Sequence, residues 1–412
     1  MTKTILIIWE HGGNLGHLSR LLPIAIALRE AQWKVVFAAA DEIAAKRFLD
    51  AAGFGSIKMP RIGAKAAADL SGPLNHAEIL LRMGFERVPE ARSTIGQWQA
   101  LFETVKPVAV LVDASPLALY AARSAGIPAV VIGHGFEIPP EQEPRPCFMP
   151  WIENSAAKTA ELEVRLEASL KELAKTMPAR YGEKAPKSLK DLFHSDGVAL
   201  CAWPELDHFD RNAGIASSSS VYTGPIWSEP SDGEALSWPD GSGPKVLCYL
   251  NLRDKRYDLV WQALKSHEAN VLIISPSDVP KACEAARGWG IKVAERPIQL
   301  SPLMKDCDAV VGHGGMGLTS MALHAGKPVL LLPEHMEQTI LAYRLGKQGL
   351  ALATIRQNDK SLVNQKISRL LHDDSLRLEV RKFAAVYSTY TPSVAVEGIV
   401  ARLKKAIARQ VI

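Results

Sequence analysis

Residues 308–338 read DAVVGHGGMGLTSMALHAGKPVLLLPEHMEQ. The apolar run Ala309–Val311 predicts a buried strand, His313-Gly314-Gly315-Met316-Gly317 a glycine-rich turn, and Leu318–His324 a helix closed by Ala325-Gly326. A second strand, Pro328–Leu332, ends at Pro333, and Glu337-Gln338 follow. A glycine-rich turn at a helix N-terminus lets backbone N–H groups approach an anion, and the helix dipole favours negative charge there. An acid-amide pair suits sugar hydroxyls, which need both acceptors and donors. Phosphate and polyol recognition side by side points to a nucleotide-sugar.

Outward from this stretch, short apolar runs alternate with helical segments on both sides. Thr4–Trp9 reads as a strand, His11–Gly16 as a second glycine-rich loop, Leu18–Ala31 as a helix and Lys34–Ala39 as a strand. Val108–Val112 and Ala129–Ile132 extend this series around a helix at Leu117–Gly126. A second series comprises Val246–Leu250, Val271–Ser275, Ile291–Val293 and the two strands of the opening stretch. Such alternation implies parallel sheets. Between the series, 216–243 is rich in Ser, Gly and Pro and reads as a linker. The expected organisation is two doubly wound α/β domains facing a central cleft, 1–215 and 244–385, with a helix at 386–412 returning to the first. Both glycine-rich loops lie at the carboxyl ends of strands, where such sheets bind ligands.

Composition narrows the class. A chain of 412 residues exceeds one ordinary core. With 22% charged residues, a net charge of +4 and no dense Lys/Arg tract, nothing indicates nucleic-acid binding. Five scattered cysteines without a CxxC suit a reducing cytoplasm and offer no zinc site. The apolar run before Glu10 is too short for a signal peptide, and no stretch of about 20 apolar residues exists to span a membrane. Leu74–Phe85 is apolar and reads as a core helix, with an acceptor lid or peripheral membrane contact as the alternative.

The ordered landmarks resemble a family. The chain looks like an inverting glycosyltransferase with two Rossmann-like domains, the GT-B architecture, and is similar to the UDP-glycosyltransferase superfamily, which is related to the lipid II-forming N-acetylglucosaminyltransferase. The resemblance rests on Gly16-His17-Leu18 with Pro23, Asp113, Thr223-Gly224-Pro225, Pro297 and Gln299 with Leu303, His313–Gly317, and Pro333–Gln338. It implies that the first domain binds the acceptor and the second the donor. It implies His17 as general base and Asp113 as its orienting partner. His313 and the N–H groups of Gly315, Met316, Gly317 and Leu318 would hold the diphosphate, with Thr319 adjacent. Glu337 and Gln338 would bind the donor sugar, and Gln299 the nucleobase or ribose. Asn14, His134 and Phe136 are acceptor-side candidates. No cofactor or metal is implied; the donor is a UDP-sugar by preference, with TDP or GDP as alternatives. The acceptor and oligomeric state are left open.

The chemistry needs these residue types. An acceptor hydroxyl is a poor nucleophile until a base takes its proton, and histidine beside a carboxylate has a pKa suited to that. The departing diphosphate gathers charge, which preorganised N–H donors stabilise. Asp306-Cys307-Asp308 matches the DxD metal motif of another glycosyltransferase fold, but its place before a buried strand makes it a turn. Several positions depart from the family pattern: Leu318, Met321 and Leu341 stand where polar residues are usual, Asn251 where Gly-Ser or Gly-Thr is, and Glu337 replaces Asp. These departures keep a non-catalytic nucleotide-sugar-binding homologue in view, beside an epimerase or hydrolase on the same fold. A dinucleotide oxidoreductase is disfavoured because the first loop reads HGGNLG rather than GxGxxG.

Overall fold

The computed structural model describes residues 3–11, 16–39, 48–62, 72–143, 145–149, 152–211, 221–228, 236–250, 256–275, 292–294, 298–354 and 360–409. The chain forms two compact units, Met1–Ile226 with Pro392–Ile412, and Trp227–Thr391. In the first unit the strands are β1 Thr4–Trp9, β2 Lys34–Ala39, β3 Ser56–Lys58, β4 Ala109–Asp113, β5 Ala129–Gly133 and β6 Gly197–Leu200. They form one sheet in the order β3-β2-β1-β4-β5-β6, and every neighbouring pair is parallel. Ile5, Leu6, Ile7 and Ile8 are fully buried, as are Val110 and Leu111 of β4 beside them. A central parallel strand covered on both faces needs such an unbroken apolar run rather than alternation.

The second unit repeats the plan. Its strands are β7 Lys245–Tyr249, β8 Asn270–Ile274, β9 Lys292–Ala294, β10 Ala309–Gly312, β11 Val329–Leu331 and β12 Leu352–Ala353. Their order is β12-β11-β10-β7-β8-β9, again parallel throughout. Counted from the first strand of each unit, both sheets read 3-2-1-4-5-6 in one direction or the other. Both are therefore doubly wound, with the winding reversing between β1 and β4 in one and between β7 and β10 in the other. Ligands of such sheets bind outside the carboxyl ends of the strands at that reversal.

The chain passes into the second unit at Ile226–Trp227, inside the expected linker, and returns at Thr391–Pro392 rather than at 386. The later return has a packing cause. Tyr390 lies against Trp227 and His324, with ring centroids 6.0 and 6.4 Å away, so residues up to 391 belong to the second unit. The helix Pro392–Ala408 then buries Ala395, Ile399, Leu403 and Ala406, and Arg402 Nε donates to the Val198 carbonyl of β6 at 3.1 Å. Leu74–Phe85 forms a short helix, His76–Leu80, and a wider turn, Leu81–Phe85, with Ala77, Leu80, Leu81 and Phe85 buried in the core. Among the described residues, no helix is long and apolar enough to cross a membrane.

Candidate functional site

The reversal point of the first sheet is built from charged side chains. β4 ends in Asp113, which is fully buried and pairs in register with Trp9 at the end of β1. The helix Gly16–Glu30 begins beyond β1 and brings His17 and Arg20, one turn apart, onto the same face. His17 Nδ1 lies 3.2 Å from Asp113 Oδ2, and its ring stacks on Trp9 with centroids 5.2 Å apart. A carboxylate only accepts, so the Asp113 contact favours the proton on Nδ1, which in the neutral ring leaves the lone pair on Nε2. Burial alone would lower the His17 pKa, but the Asp113 charge and hydrogen bond outweigh it and hold the imidazole above its ordinary 6.5.

Arg20, almost fully buried, makes a two-pronged pair with Asp113: NH2 to Oδ1 at 2.6 Å and Nε to Oδ2 at 3.2 Å. Its NH1 donates to His134 Nε2 at 2.6 Å, and its NH2 lies 3.6 Å from Glu137 Oε1. Burial would raise the Asp113 pKa; the Arg20 charge, then His17, overcome this and hold it far below the carboxylate range. Glu137 is likewise held down to about 2 by His134, Arg20 and His17 against its burial. His17, Asp113 and Glu137 place three donor atoms within 4.8 Å of one another, a spacing that could hold a metal ion. The cation already seated between these carboxylates is the Arg20 guanidinium, so the donor set suits a metal poorly.

Sequence reasoning missed Arg20 and Glu137. The signal for Arg20 was present: it is the single charged residue in the apolar face from Leu18 to Leu28. It also missed Glu10, whose carboxylate accepts from Trp98 Nε1 at 2.7 Å and from the N–H groups of Leu117 and Ala118 at 3.1 Å each. Glu10 thus holds the start of the helix Pro116–Ala125, leaving Asp113 to the basic cluster. His134 joins the cluster through Arg20. Phe136 is half-buried beside Phe148, with centroids 5.1 Å apart, and its carbonyl faces His76 Nε2 at 3.0 Å. Asn14 lies outside the described residues.

The second reversal point is built from backbone. β10 runs into His313, whose Nδ1 faces the Leu332 carbonyl at 3.3 Å and therefore bears a proton. Gly314 has φ +93°, in the left-handed region that favours glycine, and a side chain there would stand 3.5 Å from Gln338 Cβ. Gly315 precedes the helix Met316–His324, which has no side-chain cap. The Thr319 N–H bonds to the Gly315 carbonyl at 3.1 Å, so the N–H groups of Gly315, Met316, Gly317 and Leu318 are the uncommitted first turn. A Cβ added at Gly315 or Gly317 would meet nothing within 4 Å. The space beside these two glycines is open.

The remaining expected donor residues divide. Glu337 is half-buried on the first turn of the helix Met336–Lys347, close to the glycine turn through its neighbour Gln338. Gln338 Oε1 accepts the Glu334 N–H at 2.8 Å, which leaves its NH2 for a ligand. Thr319 is buried, and its N–H bonds to the Gly315 carbonyl. Gln299 is half-buried at the N-cap of the helix Leu300–Asp306 without capping it. Pro297 and Asn251 lie outside the described residues. Asp308 accepts the Lys245 N–H at 2.8 Å and Asp306 pairs with Lys245 Nζ, which makes Asp306–Asp308 a turn between helix and strand.

Residues 281–401 match the family model described as erythromycin biosynthesis protein CIII-like, C-terminal domain. Over 408 residues, 94% of this chain and 96% of the relative, the chain is 26% identical to the L-demethylnoviosyl transferase of Streptomyces niveus. Among solved structures it is similar to the calicheamicin glycosyltransferase CalG4, with TM-score 0.69, 16% identity and 98% of each chain covered. It is also similar to the glycosyltransferase VinC in complex with DTDP, with TM-score 0.62, 17% identity, and 98% of this chain and 99% of that one covered. The fold is that of the GT-B glycosyltransferases. Within this GT-B chain Met321 and Leu341 are buried core residues. Leu318 is half-buried, with its Cδ2 3.1 Å from where a Gly312 side chain would begin.

Proposed function

We propose that the protein is an inverting glycosyltransferase that moves a sugar from a nucleoside diphosphate sugar to a hydroxyl or amine of a small-molecule acceptor. The observation that carries this reading is the pairing of two chemistries at the two sheet reversals: a carboxylate-backed histidine in the first unit, and an uncapped, glycine-opened helix N-terminus in the second. His17 Nε2 takes the acceptor proton as the acceptor atom forms its bond to the anomeric carbon. The bond from that carbon to the diphosphate oxygen breaks on the opposite face, and its electron pair leaves with the diphosphate. The N–H groups of Gly315 to Leu318 receive that growing charge without a metal ion. His313 joins them when its Nε2 is also protonated, because Nδ1 is committed to Leu332. Glu337 and the NH2 of Gln338 orient the sugar.

The DTDP complex of VinC favours thymidine over the uridine expected from sequence. The kinship to the L-demethylnoviosyl transferase and to the calicheamicin glycosyltransferase favours a natural-product acceptor. A thermal-shift panel of TDP-, UDP- and GDP-sugars, followed by mass spectrometry of mixtures with aglycone acceptors, tests the reading. The expected result is stabilisation by one nucleoside diphosphate series and a product one glycosyl unit heavier. Release of free sugar in every mixture, with no glycosylated product, would replace transfer by hydrolysis.

A further inference from the structure

The cluster around His17 contains an electrostatic conflict, and its resolution rests on the proposed role of His17 as base. Arg20 grips both oxygens of Asp113, at 2.6 and 3.2 Å, and so offsets part of the charge that should support an imidazolium. Arg20 NH2 also lies 3.2 Å from His17 Nδ1, the same atom that faces Asp113. A guanidinium can only donate. Left to itself, it would favour a lone pair on Nδ1 and a proton on Nε2, the tautomer that cannot accept a proton from the acceptor.

Glu137 faces the same guanidinium from the turn after β5. Its Oε1 is 3.6 Å from Arg20 NH2, and its Oε2 is anchored by the His134 N–H at 2.6 Å. The turn itself is pinned. Arg211 donates to the Gly135 carbonyl at 2.8 Å and to the Ile138 carbonyl, and it pairs with the buried Asp207 at 2.6 Å. A side chain at Gly135 would overlap Asp207 Oδ1 at 1.8 Å. With both histidines neutral, the cluster holds one cation, Arg20, and two carboxylates. Its net charge is negative until His17 takes a proton.

We propose that Glu137 is a positioning residue for the base: by sharing the Arg20 charge, it leaves Asp113 free to hold His17 in the Nδ1–H tautomer and gives the cluster the extra negative charge that an imidazolium needs. The groups facing His17 are Arg20 on its own helix, Asp113 on β4 and Glu137 on the turn after β5, with the Trp9 ring of β1 stacked on it; His134 of the same turn meets Arg20 at 2.6 Å. Cys201, which follows β6, is pushed up to about 11, chiefly by burial, and stays neutral. Glu10 of the same sheet edge is turned to Trp98 and the helix Pro116–Ala125.

The test uses the full chain with Glu137→Gln and Glu137→Asp. Nitrogen-15 NMR of the histidine rings across pH reads the tautomer and titration of His17 directly, and the pH profile of kcat/KM reads it through transfer. In Glu137→Gln we expect the His17 titration and the acid limb of kcat/KM to move to lower pH, a larger fraction of the Nε2–H tautomer, and a kcat lower by on the order of tenfold. Glu137→Asp restores the charge and recovers most of each change; should the glutamine variant not fold, a smaller downward shift in Glu137→Asp is the expected signal. An unmoved His17 titration in a folded Glu137→Gln protein overturns the proposal. Undiminished transfer by His17→Ala would instead overturn the base assignment, and the NMR shift would still report on the cluster.

Discussion

At the reversal of the first sheet, the end of β4 and the helix that follows β1 bring together a packed set of charged side chains; at the reversal of the second, β10 leads into a glycine turn that presents backbone N–H groups. The strand order is the same in both units. The first site packs the half-buried imidazole of His17 against the buried Arg20 and Asp113, a setting that would suit a proton transfer dependent on tuned basicity. Among the described residues the second buries no comparable set, and its glycines keep side chains away from a helix start. A diphosphate needs dense donors and close approach more than a tuned pKa. The topology supplies a place for a ligand, and the residues at the strand ends decide the chemistry.

The sharpest way to break this division is His17→Ala. Transfer should fall about 10²–10⁴-fold, while calorimetric titration of the nucleoside diphosphate gives an unchanged affinity. Loss of both together would mean that the two sites do not divide the labour.

Next in size is Arg20→Met, which strands the buried Asp113 and the half-buried Glu137 without their cation. Denaturant unfolding at pH 7 should show a loss of about 3–5 kcal/mol. The pH dependence follows from Glu137, whose carboxyl is held down at about 2 from an unfolded value near 4.5. A depressed carboxyl adds stability above the unfolded value and loses it as pH falls through the folded one. The penalty in Arg20→Met should therefore shrink between about pH 4.5 and 2. An equal penalty across that window would show that shape, not charge, makes Arg20 matter.

A smaller effect of opposite character is expected in the second unit. Gly317→Ala adds a methyl group to open space in a helical turn, so stability should hold or rise by up to about 1 kcal/mol. Nucleoside diphosphate affinity should drop roughly tenfold, because the methyl group enters the open space beside Gly317. Unchanged affinity would move the anion away from this turn. The mildest variant is Glu337→Ala, for which removal of one hydrogen-bonding group should weaken the sugar nucleotide about fivefold and leave the free diphosphate unaffected. Equal weakening of both would end its role as a sugar contact.

The central strands were legible because each is an unbroken apolar run, and β1, β2, β4, β5, β7, β8, β10 and β11 all fall within a residue or two of where periodicity puts them. Three strands were not read: β3, β6 and β12, each at the edge of its sheet. β3 is Ser56-Ile57-Lys58 and mostly exposed, and β12 has two residues, so neither carries a burial pattern to detect. The glycine turn and its acid-amide neighbours were legible because they lie close together in the chain. Arg20 was not, because a buried arginine on an apolar helix face has meaning only once its carboxylates are known.

The sequence by itself determined two parallel-sheet units, the helix N-terminus after β10 and the proximity of His17 to a strand end, since hydrophobic period and glycine placement are local properties. Tertiary structure alone decided that Asp113 faces His17 across 96 positions of chain, that Glu10 rather than Asp113 holds the helix Pro116–Ala125, and that Arg20 and Glu137 complete the cluster. The physical reason is that a buried charge is tolerable only beside its partner, and those partners come from β4 and from the turn after β5, more than ninety residues further along the chain.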